Sequence, residues 1–316
     1  MGREDDDARV ARALISVADA HANAATLTFV DASWHMPDAK RSGVSEFATS
    51  RLSASAKFLD VDATSDRDAS APHQLPAPEA FEAAIRELGL RESDDIVIYD
   101  RDGMFSAARA WWMFRAHGWE NVRVLDGGAP AWRASGFDED TSARSEDEIR
   151  AHAKKCEEVM RARRAREGDA RSKDFKGTRE ELVKSKADML ENLNAATFQV
   201  VDARGAARFR GETKEPRAGV RSGHIPGSRN VFFGDLLDSD KKFKSVDELR
   251  RVFEASGLDL SAAGKPIVAS CGTGVTACIL ALGLHRCGVE NVAVYDGSWT
   301  EWGSDESCPL ATGHPE

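Results

Sequence analysis

Residues 118–128 of the chain read GWENVRVLDGG, and residues 288–298, which lie 170 positions further on, read GVENVAVYDGS. Two other pairs of segments repeat at almost the same distance. These are FVDA at 29–32 with VVDA at 200–203, and IVIYD at 96–100 with IVASC at 267–271, each 171 positions apart. A separation that changes by one residue over so long a span predicts two copies of one fold.

Each copy alternates short β-branched segments with helical ones. Residues 78–88 and 107–117 have the composition of helices, and Pro78 suits an opening helical turn, where its missing N–H costs nothing. Strands that alternate with helices are typical of βαβ units, in which helices cover both faces of a parallel sheet. The sequence therefore predicts an α/β fold of two tandem domains, with ligands bound beyond the carboxyl ends of the strands.

We place the first domain at residues 22–140 and the second at residues 178–316, with a charged linker at 141–177. Helix-forming residues over 151–166, with many interleaved charges of both signs, predict a solvated helix rather than a nucleic-acid arm. Cys156 lies in this helix. We expect its thiol to be exposed and to lack the electropositive surroundings of a specific nucleophile.

Composition and charge exclude several classes of function. A length of 316 residues suits two domains, and 41% hydrophobic with 30% charged residues is typical of globular proteins. The net charge of −10 argues against a nucleic-acid partner. No apolar stretch approaches the roughly 18 residues that cross a bilayer, so we expect no membrane association.

Cysteine usage and the chain start bear on the compartment. Five cysteines, an odd number without a C-x-x-C pair, predict a reducing environment and no zinc site. Residues 1–7 are acidic and resemble neither a secretory signal nor a transit peptide. We expect an intracellular protein, cytoplasmic or mitochondrial, with no targeting segment evident and with no cofactor.

The sequence CGTGVTA at 271–277 directly follows the apolar run PIVAS at 266–270. A strand that ends in a cysteine, followed by a glycine-rich turn and a helix start, places the sulfur in a ring of backbone N–H groups. Such a ring stabilises a thiolate and any anion attached to it, so Cys271 is a candidate nucleophile. The residues predicted to cradle its sulfur are Gly272, Gly274, Val275 and Thr276. A buried structural cysteine at a strand end is the alternative.

Several separate motifs, over about residues 25–310, resemble the rhodanese superfamily of two-domain sulfurtransferases. They are VDAR at 201–204, RFRG at 208–211, EPR at 215–217, GHIPG at 223–227, YDGSWTEW at 295–302 and, in the first copy, AWWMFR at 110–115. The resemblance implies two rhodanese-like domains, of which only the second carries the cysteine. Asp100 stands at the matching position of the first copy and cannot hold a persulfide, so we expect a non-catalytic domain that shapes the cleft. The first copy departs from the family at residues 52–55, where LSAS replaces a turn like HIPG.

The resemblance also implies a two-step sulfur relay. The Cys271 thiolate takes sulfur from a small-molecule donor, and the resulting persulfide passes it to a thiol, a thioredoxin-like protein or cyanide. Loops of the thiosulfate type carry basic side chains where this chain has Gly272 and Thr273, which favours 3-mercaptopyruvate as the donor and pyruvate as the product. A thiosulfate:cyanide sulfurtransferase and a non-enzymatic persulfide carrier are the alternatives.

By the same resemblance, Thr273, Asp62 and His73 handle protons beside Cys271. Taken without the family, Asp62 and His73 are ordinary loop residues. The resemblance likewise assigns the substrate carboxylate and keto oxygen to two arginines, whose planar guanidinium groups form a bidentate fork. These are Arg208 and Arg217.

The arginines have a plainer alternative, which is pairing with Glu212 or Glu215. His224, in the GHIPG turn, is expected to order its loop. A phosphatase on this fold would need an arginine at the end of a C-x5-R loop, but Ala277 occupies that position and the next arginine is Arg286. The loop therefore argues against phosphatase chemistry, and sustained pyruvate release would separate the enzyme from a carrier.

Overall fold

The computed structural model describes residues 13–166, 179–261 and 263–314. The acidic start at 1–7 and the predicted domain boundary at 178 lie outside the described residues. The strands are β1 (Leu14–Ile15), β2 (Thr28–Asp31), β3 (Lys57–Phe58), β4 (Ile96–Tyr99), β5 (Val122–Leu125), β6 (Val183–Lys184), β7 (Gln199–Asp202), β8 (Arg229–Asn230), β9 (Ile267–Ser270) and β10 (Ala293–Tyr295).

The α-helices of the described residues follow the same repeat. They are α1 (Val17–Ala22), α2 (Gly43–Thr49), α3 (Pro78–Glu87), α4 (Ala107–Ala116), α5 (Gly128–Ala134), α6 (Glu146–Arg166), α7 (Lys186–Ala195), α8 (Ala206–Phe209), α9 (Val246–Ala255), α10 (Ala277–Arg286) and α11 (Ser298–Ser304). Short 3-10 turns lie at Pro37–Ala39, Glu180–Leu182 and Phe233–Leu236.

Two five-stranded sheets carry these elements. Their strand orders are β1-β5-β4-β2-β3 and β6-β10-β9-β7-β8, and every pairing between neighbouring strands is parallel. The two orders are the same when each strand is matched to its counterpart in the other copy. The predicted α/β architecture of two repeated domains, each a parallel sheet flanked by helices, is confirmed.

The central strands explain why their sequences are apolar without interruption. All four residues of β4 and of β9 are buried, because helices cover both faces of each sheet. On each side of the molecule an outer cluster of apolar side chains fills one face of a sheet. A larger cluster contains residues of both copies, including Trp112 and Phe114 from the first and Ile279 and Leu280 from the second.

Helices α4 and α10 pack against each other within this shared core. Both follow a central strand, and both are buried almost all round, as expected for helices with no polar face. The contact between α4 and α10 brings the carboxyl end of each sheet, where Asp100 and Cys271 begin their loops, to one cleft.

The helix between the copies differs from the prediction. It begins at Glu146, five residues before the predicted start, and packs against α3 of the first copy. Its inner face is lined by Ile149, Ala153, Cys156 and Met160, a 4-3-4 spacing that forms one helical stripe. The expectation that Cys156 is exposed was wrong, because this stripe buries it and its thiol donates to Ala84 O.

Candidate active site

The loop of Cys271 is held from one side by the amino end of α11. The N–H groups of Trp299 and Thr300 donate to the carbonyls of Cys271 and Gly272, both at 2.9 Å, and the Thr300 hydroxyl adds a bond of 2.7 Å to Gly272 O. The Cys271 N–H donates to Ser298 Oγ at 3.3 Å. Because α11 binds these carbonyls, the loop is held in place, and the N–H groups of residues 272–276 take no part in these bonds.

The N–H groups of residues 272–276 find no acceptor among the residues that the structure describes. Thr273, Gly274 and Val275 are nevertheless buried. Buried backbone donors are almost always paired in proteins, so a run of unpaired ones calls for an explanation. Such a loop at the start of a helix is suited to bind an anion.

The equivalent loop of the first copy is already satisfied. Asp100 replaces the cysteine, and its carboxylate accepts from the N–H groups of Asp102 (2.9 Å), Phe105 (2.7 Å) and Ala107 (2.9 Å). Burial raises the pKa of Asp100, against the effect of these N–H groups. The same fold thus builds an anion cradle twice, and in the first copy a side chain of the protein fills it.

A glycine is required at one position of the cysteine loop. Gly274 has a φ of +80°, which residues with a side chain rarely adopt. A Cβ there would also lie 2.9 Å from Arg109 Nη1. Arg109 belongs to α4 of the first copy, so the two domains meet directly at the loop. The predicted cradle residues Gly272, Val275 and Thr276 lie in the same loop.

The predicted proton-handling residues form one connected chain across the cleft. His73 Nδ1 lies 2.9 Å from Thr273 Oγ1, and His73 Nε2 lies 2.9 Å from Asp62 Oδ1. The Trp34 indole N–H also donates to Asp62 Oδ2 at 3.0 Å. Burial alone would raise the pKa of Asp62, but the hydrogen bonds and charge of these partners hold it below its ordinary value. Although 200 positions separate them, His73 and Thr273 are therefore in contact.

One predicted arginine lies at the cysteine loop and the other is not joined to it. Arg208, on α8, places Nη2 3.4 Å from where a Cβ of Gly272 would be. Its Nε and Nη2 donate to Glu215 at 3.3 and 2.5 Å, which leaves Nη1 without an acceptor among the described residues. Arg217 follows two residues after Glu215, is partly exposed, and forms no ion pair with any residue that the structure describes.

The remaining cysteines differ from Cys271 in their surroundings. All five cysteines are free. Burial raises the pKa of Cys278 to about 12, and that of Cys156 and of Cys287 to about 11. Cys278 donates to Gly274 O at 3.1 Å and packs behind the loop. These thiols stay protonated near neutral pH and lack the N–H cradle.

His224 has the structural surroundings expected of a loop-ordering residue. Its ring N–H at Nδ1 donates to Phe209 O at 2.8 Å, and the two rings stack with centroids 3.8 Å apart. In the first copy, where LSAS replaces this turn, Arg51 forms a bridge to Asp140 that matches the bridge of His224 to Ala311, and Leu52 is buried.

Comparisons with known proteins agree with this geometry. Residues 19–135 and 185–305 each match the family described as Rhodanese-like domain. The chain belongs to the rhodanese family. It is 44% identical over 301 residues to "Thiosulfate/3-mercaptopyruvate sulfurtransferase 1, mitochondrial" of Arabidopsis thaliana, a match that covers 94% of this chain and 77% of that protein. It is 39% identical to human "3-mercaptopyruvate sulfurtransferase", over 87% of this chain and 84% of that one.

A solved structure shows the same arrangement of two rhodanese domains. The Escherichia coli 3-mercaptopyruvate sulfotransferase SseA superposes with a TM-score of 0.73 at 32% identity, covering 91% of this chain and 98% of its own. The predicted resemblance to two-domain rhodaneses is thereby confirmed.

Two residues of the rhodanese cleft carry signals that the sequence analysis passed over. Arg109 and Asp296 form an ion pair of 2.9 Å across the domain interface, and the Arg109 side chain is fully buried. An arginine among the buried apolar residues of α4 is a sign of a buried ion pair, since an unpaired buried charge is costly. Asp296 lies inside the YDGSWTEW motif. Both were therefore visible in the sequence.

Among the described residues of the chain, no cluster of three or more His, Cys, Asp or Glu side chains is arranged to hold a metal ion. No helix in the same residues is both long and apolar enough to span a bilayer.

The filled cradle of the first rhodanese domain makes a testable contribution to stability. Replacing Asp100 by Ala removes the acceptor of three N–H groups, so we expect the free energy of unfolding to fall by at least about 2 kcal/mol. Asp100→Asn keeps one acceptor oxygen and should lose less. Urea unfolding measures both, with Asp38→Ala at an exposed site as the control that changes little. An unchanged unfolding midpoint in Asp100→Ala would contradict the filled-cradle interpretation.

Proposed function

We propose that this protein is a 3-mercaptopyruvate sulfurtransferase that forms a persulfide on Cys271 and passes its outer sulfur to a thiol. The observation that carries the proposal is the run of five N–H groups after Cys271 that have no acceptor among the described residues, in a fold whose other copy fills the equivalent cradle with Asp100. A persulfide anion would satisfy these donors as the carboxylate does in the first copy. The names of the relatives support the donor.

The first step balances as a displacement at sulfur. The Cys271 thiolate attacks the thiol sulfur of mercaptopyruvate, a sulfur–sulfur bond forms, and the carbon–sulfur bond breaks. The electron pair of that bond becomes the pyruvate enolate, which takes up one proton to give pyruvate. In the second step an acceptor thiolate attacks the outer sulfur, so Cys271 regains its thiolate and the acceptor becomes a persulfide.

The hydrogen-bonded series Asp62–His73–Thr273 is suited to supply the proton that the enolate takes up. The Asp62 carboxylate, whose pKa is lowered by its partners although burial opposes this, accepts from His73 Nε2. That bond orients the imidazole, as in other carboxylate–histidine pairs. His73 Nδ1 then exchanges a proton with the Thr273 hydroxyl, 2.9 Å away and two residues from Cys271. We infer that this hydroxyl delivers the proton to the enolate.

Arg208 and Arg217 are suited to bind the carboxylate and the keto oxygen of mercaptopyruvate. Glu215 holds one edge of the Arg208 guanidinium and directs it to Gly272, while Nη1 remains available for a carboxylate. Arg217 has no carboxylate partner among the described residues, which suits a group that neutralises an incoming anion. Glu215 is in turn fixed by Arg204, at 2.9 Å, so the arginine cluster is preorganised.

We propose a thiol acceptor, either a small thiol or a thioredoxin-like protein. The five free cysteines fit a reducing compartment, and we propose a cytoplasmic or mitochondrial site of action. The name of the Arabidopsis thaliana relative, which includes the word mitochondrial, supports a mitochondrial site of action. That name also includes thiosulfate, and thiosulfate is therefore the second donor we propose, with lower efficiency.

Donor choice is the direct test of the proposed function. With Gly272 and Thr273 in place of basic side chains, we expect kcat/KM for mercaptopyruvate to exceed that for thiosulfate by at least about tenfold. Pyruvate and thiocyanate release, with cyanide as the common acceptor, measure the two reactions. Cys271→Ser supplies the blank, because an alkoxide is not accessible near neutral pH. Thiosulfate preferred by the same margin would assign the protein to thiosulfate chemistry instead.

The arginine assignment predicts a loss that depends on position. Arg208→Leu or Arg217→Leu removes a charge-assisted bond worth about 1.5–3 kcal/mol, a loss of roughly ten- to 150-fold in kcat/KM for mercaptopyruvate. Lysine should restore only part, because it lacks the planar fork. The matched control is Arg210→Leu, since Arg210 pairs with Glu212 on the same segment and with no other carboxylate among the described residues. Equal kinetics in the Arg208, Arg217 and Arg210 variants would show that the carboxylate is bound elsewhere.

A further inference from the structure

The proposed proton relay is made from two domains, which raises the question of what keeps its halves aligned. Asp62 and His73 come from a loop of the first copy, and Thr273 comes from the second copy. The contact that joins them is a single hydrogen bond of 2.9 Å. A displacement of about 1 Å in such a site can cost about a hundredfold in rate.

The backbone of His73 needs external support. Its φ is +68°, in the left-handed region that residues with a side chain rarely adopt. Residues held in such conformations persist only where their surroundings fix them, and they are frequent at functional sites. Two of the bonds at this segment join it to Arg109 and Asp296. The His73 carbonyl accepts from Arg109 Nη2, and the Leu75 N–H donates to Asp296 Oδ2 at 2.6 Å.

The same arginine also reaches the cysteine loop. Arg109 Nη1 donates to Gly274 O at 3.4 Å, and Arg109 Nη2 donates to Asp296 Oδ1 at 2.9 Å. Gly274 is the residue after Thr273, and Asp296 leads through Gly297 into α11, which binds the carbonyls of Cys271 and Gly272. The Arg109 guanidinium therefore bonds to His73 in the first copy and to Gly274 and Asp296 in the second.

The Arg109 side chain has little freedom to move. It is fully buried, and its guanidinium stacks on Trp112 with 4.6 Å to the ring centroid. Its Nε has no acceptor among the described residues, so all of its hydrogen bonding is directed through Nη1 and Nη2 into the domain interface. A flexible ammonium could neutralise Asp296 but could not hold the two carbonyls in fixed geometry.

We propose that Arg109 is a positioning residue that aligns the His73 relay of the first domain with the Thr273–Cys271 loop of the second. It touches neither the donor nor the sulfur and acts through His73 and Gly274. The proposal rests on the proposed function, since it assumes that His73 handles the proton of the sulfur-transfer step.

The chain contains a matched control for the loss of a buried guanidinium. Arg51, in the same domain, is also buried, pairs with Asp140, stacks on Phe47 at 5.9 Å and leaves its Nε without an acceptor among the described residues. Its guanidinium also donates to the carbonyls of Phe47 and Ser142, so it binds the last segment of the first copy and not the cleft. Arg51→Lys therefore reports what a buried arginine contributes to folding alone.

The test is a double-mutant cycle on the single-turnover rate of Cys271 sulfuration at saturating mercaptopyruvate. His73→Asn removes the imidazole while keeping a residue that tolerates positive φ. We expect Arg109→Lys to slow the step by about ten- to a hundredfold, and His73→Asn by at least about a hundredfold. In the double variant, Arg109→Lys should cost no more than about threefold further, because the contact it aligns is already lost. Arg51→Lys should stay within about threefold of the wild type.

Each result separates the two hypotheses. If the losses of Arg109→Lys and His73→Asn multiply in the double variant, Arg109 does not act through His73 and the positioning role is wrong, while the sulfur relay stands. If His73→Asn alone leaves the rate unchanged, the proton relay fails and the positioning role fails with it. Should Arg109→Lys not fold, Asp296→Asn, which removes the charge that holds Arg109, takes its place in the same cycle and is judged by the same outcomes.

Discussion

A backbone N–H group that is withdrawn from water must find an acceptor, and this requirement organises both copies of the fold. After each central strand, a glycine-containing turn leads into a helix and directs several N–H groups inward. In the first copy, the Asp100 carboxylate accepts hydrogen bonds from three of these N–H groups. The second copy places Cys271 at that position, and no described residue accepts from the N–H groups of 272–276. The two cradles therefore differ in the side chain at this one position.

Duplication also explains how the site gains its other groups. Because α4 and α10 pack together, the carboxyl ends of both sheets face one cleft, and each copy can contribute what the other lacks. The first copy supplies Asp62, His73 and Arg109, while the second supplies the sulfur, Thr273 and Arg208. Removing one partner of a buried pair such as Arg109–Asp296 typically costs about 3–5 kcal/mol, because the other charge is left buried without a partner, so this interface requires both residues.

Local and repeated features of the sequence predicted the fold well. The 170-residue repeat anticipated two sheets of identical order, and the strand–cysteine–glycine pattern located the cradle, because both depend on short-range backbone geometry. The contact between His73 and Thr273 spans 200 positions, and only the family resemblance pointed to it. The pairing of Arg208 with Glu215 had been weighed only as an alternative, yet the structure shows it and Arg208 still reaches the loop. The many charges near Cys156 concealed an apolar stripe, and tertiary packing buried that thiol.

The central claim is that Cys271, within its cradle of N–H groups, is the atom that carries sulfur. The most direct measurement treats the protein with mercaptopyruvate without an acceptor and then locates added mass by peptide mass spectrometry. The account predicts about 32 Da (one sulfur atom) on the Cys271 peptide, with about one pyruvate released per chain, as expected of a covalent intermediate. Sulfur on Cys156, Cys278, Cys287 or Cys308 with Cys271 unmodified would contradict it.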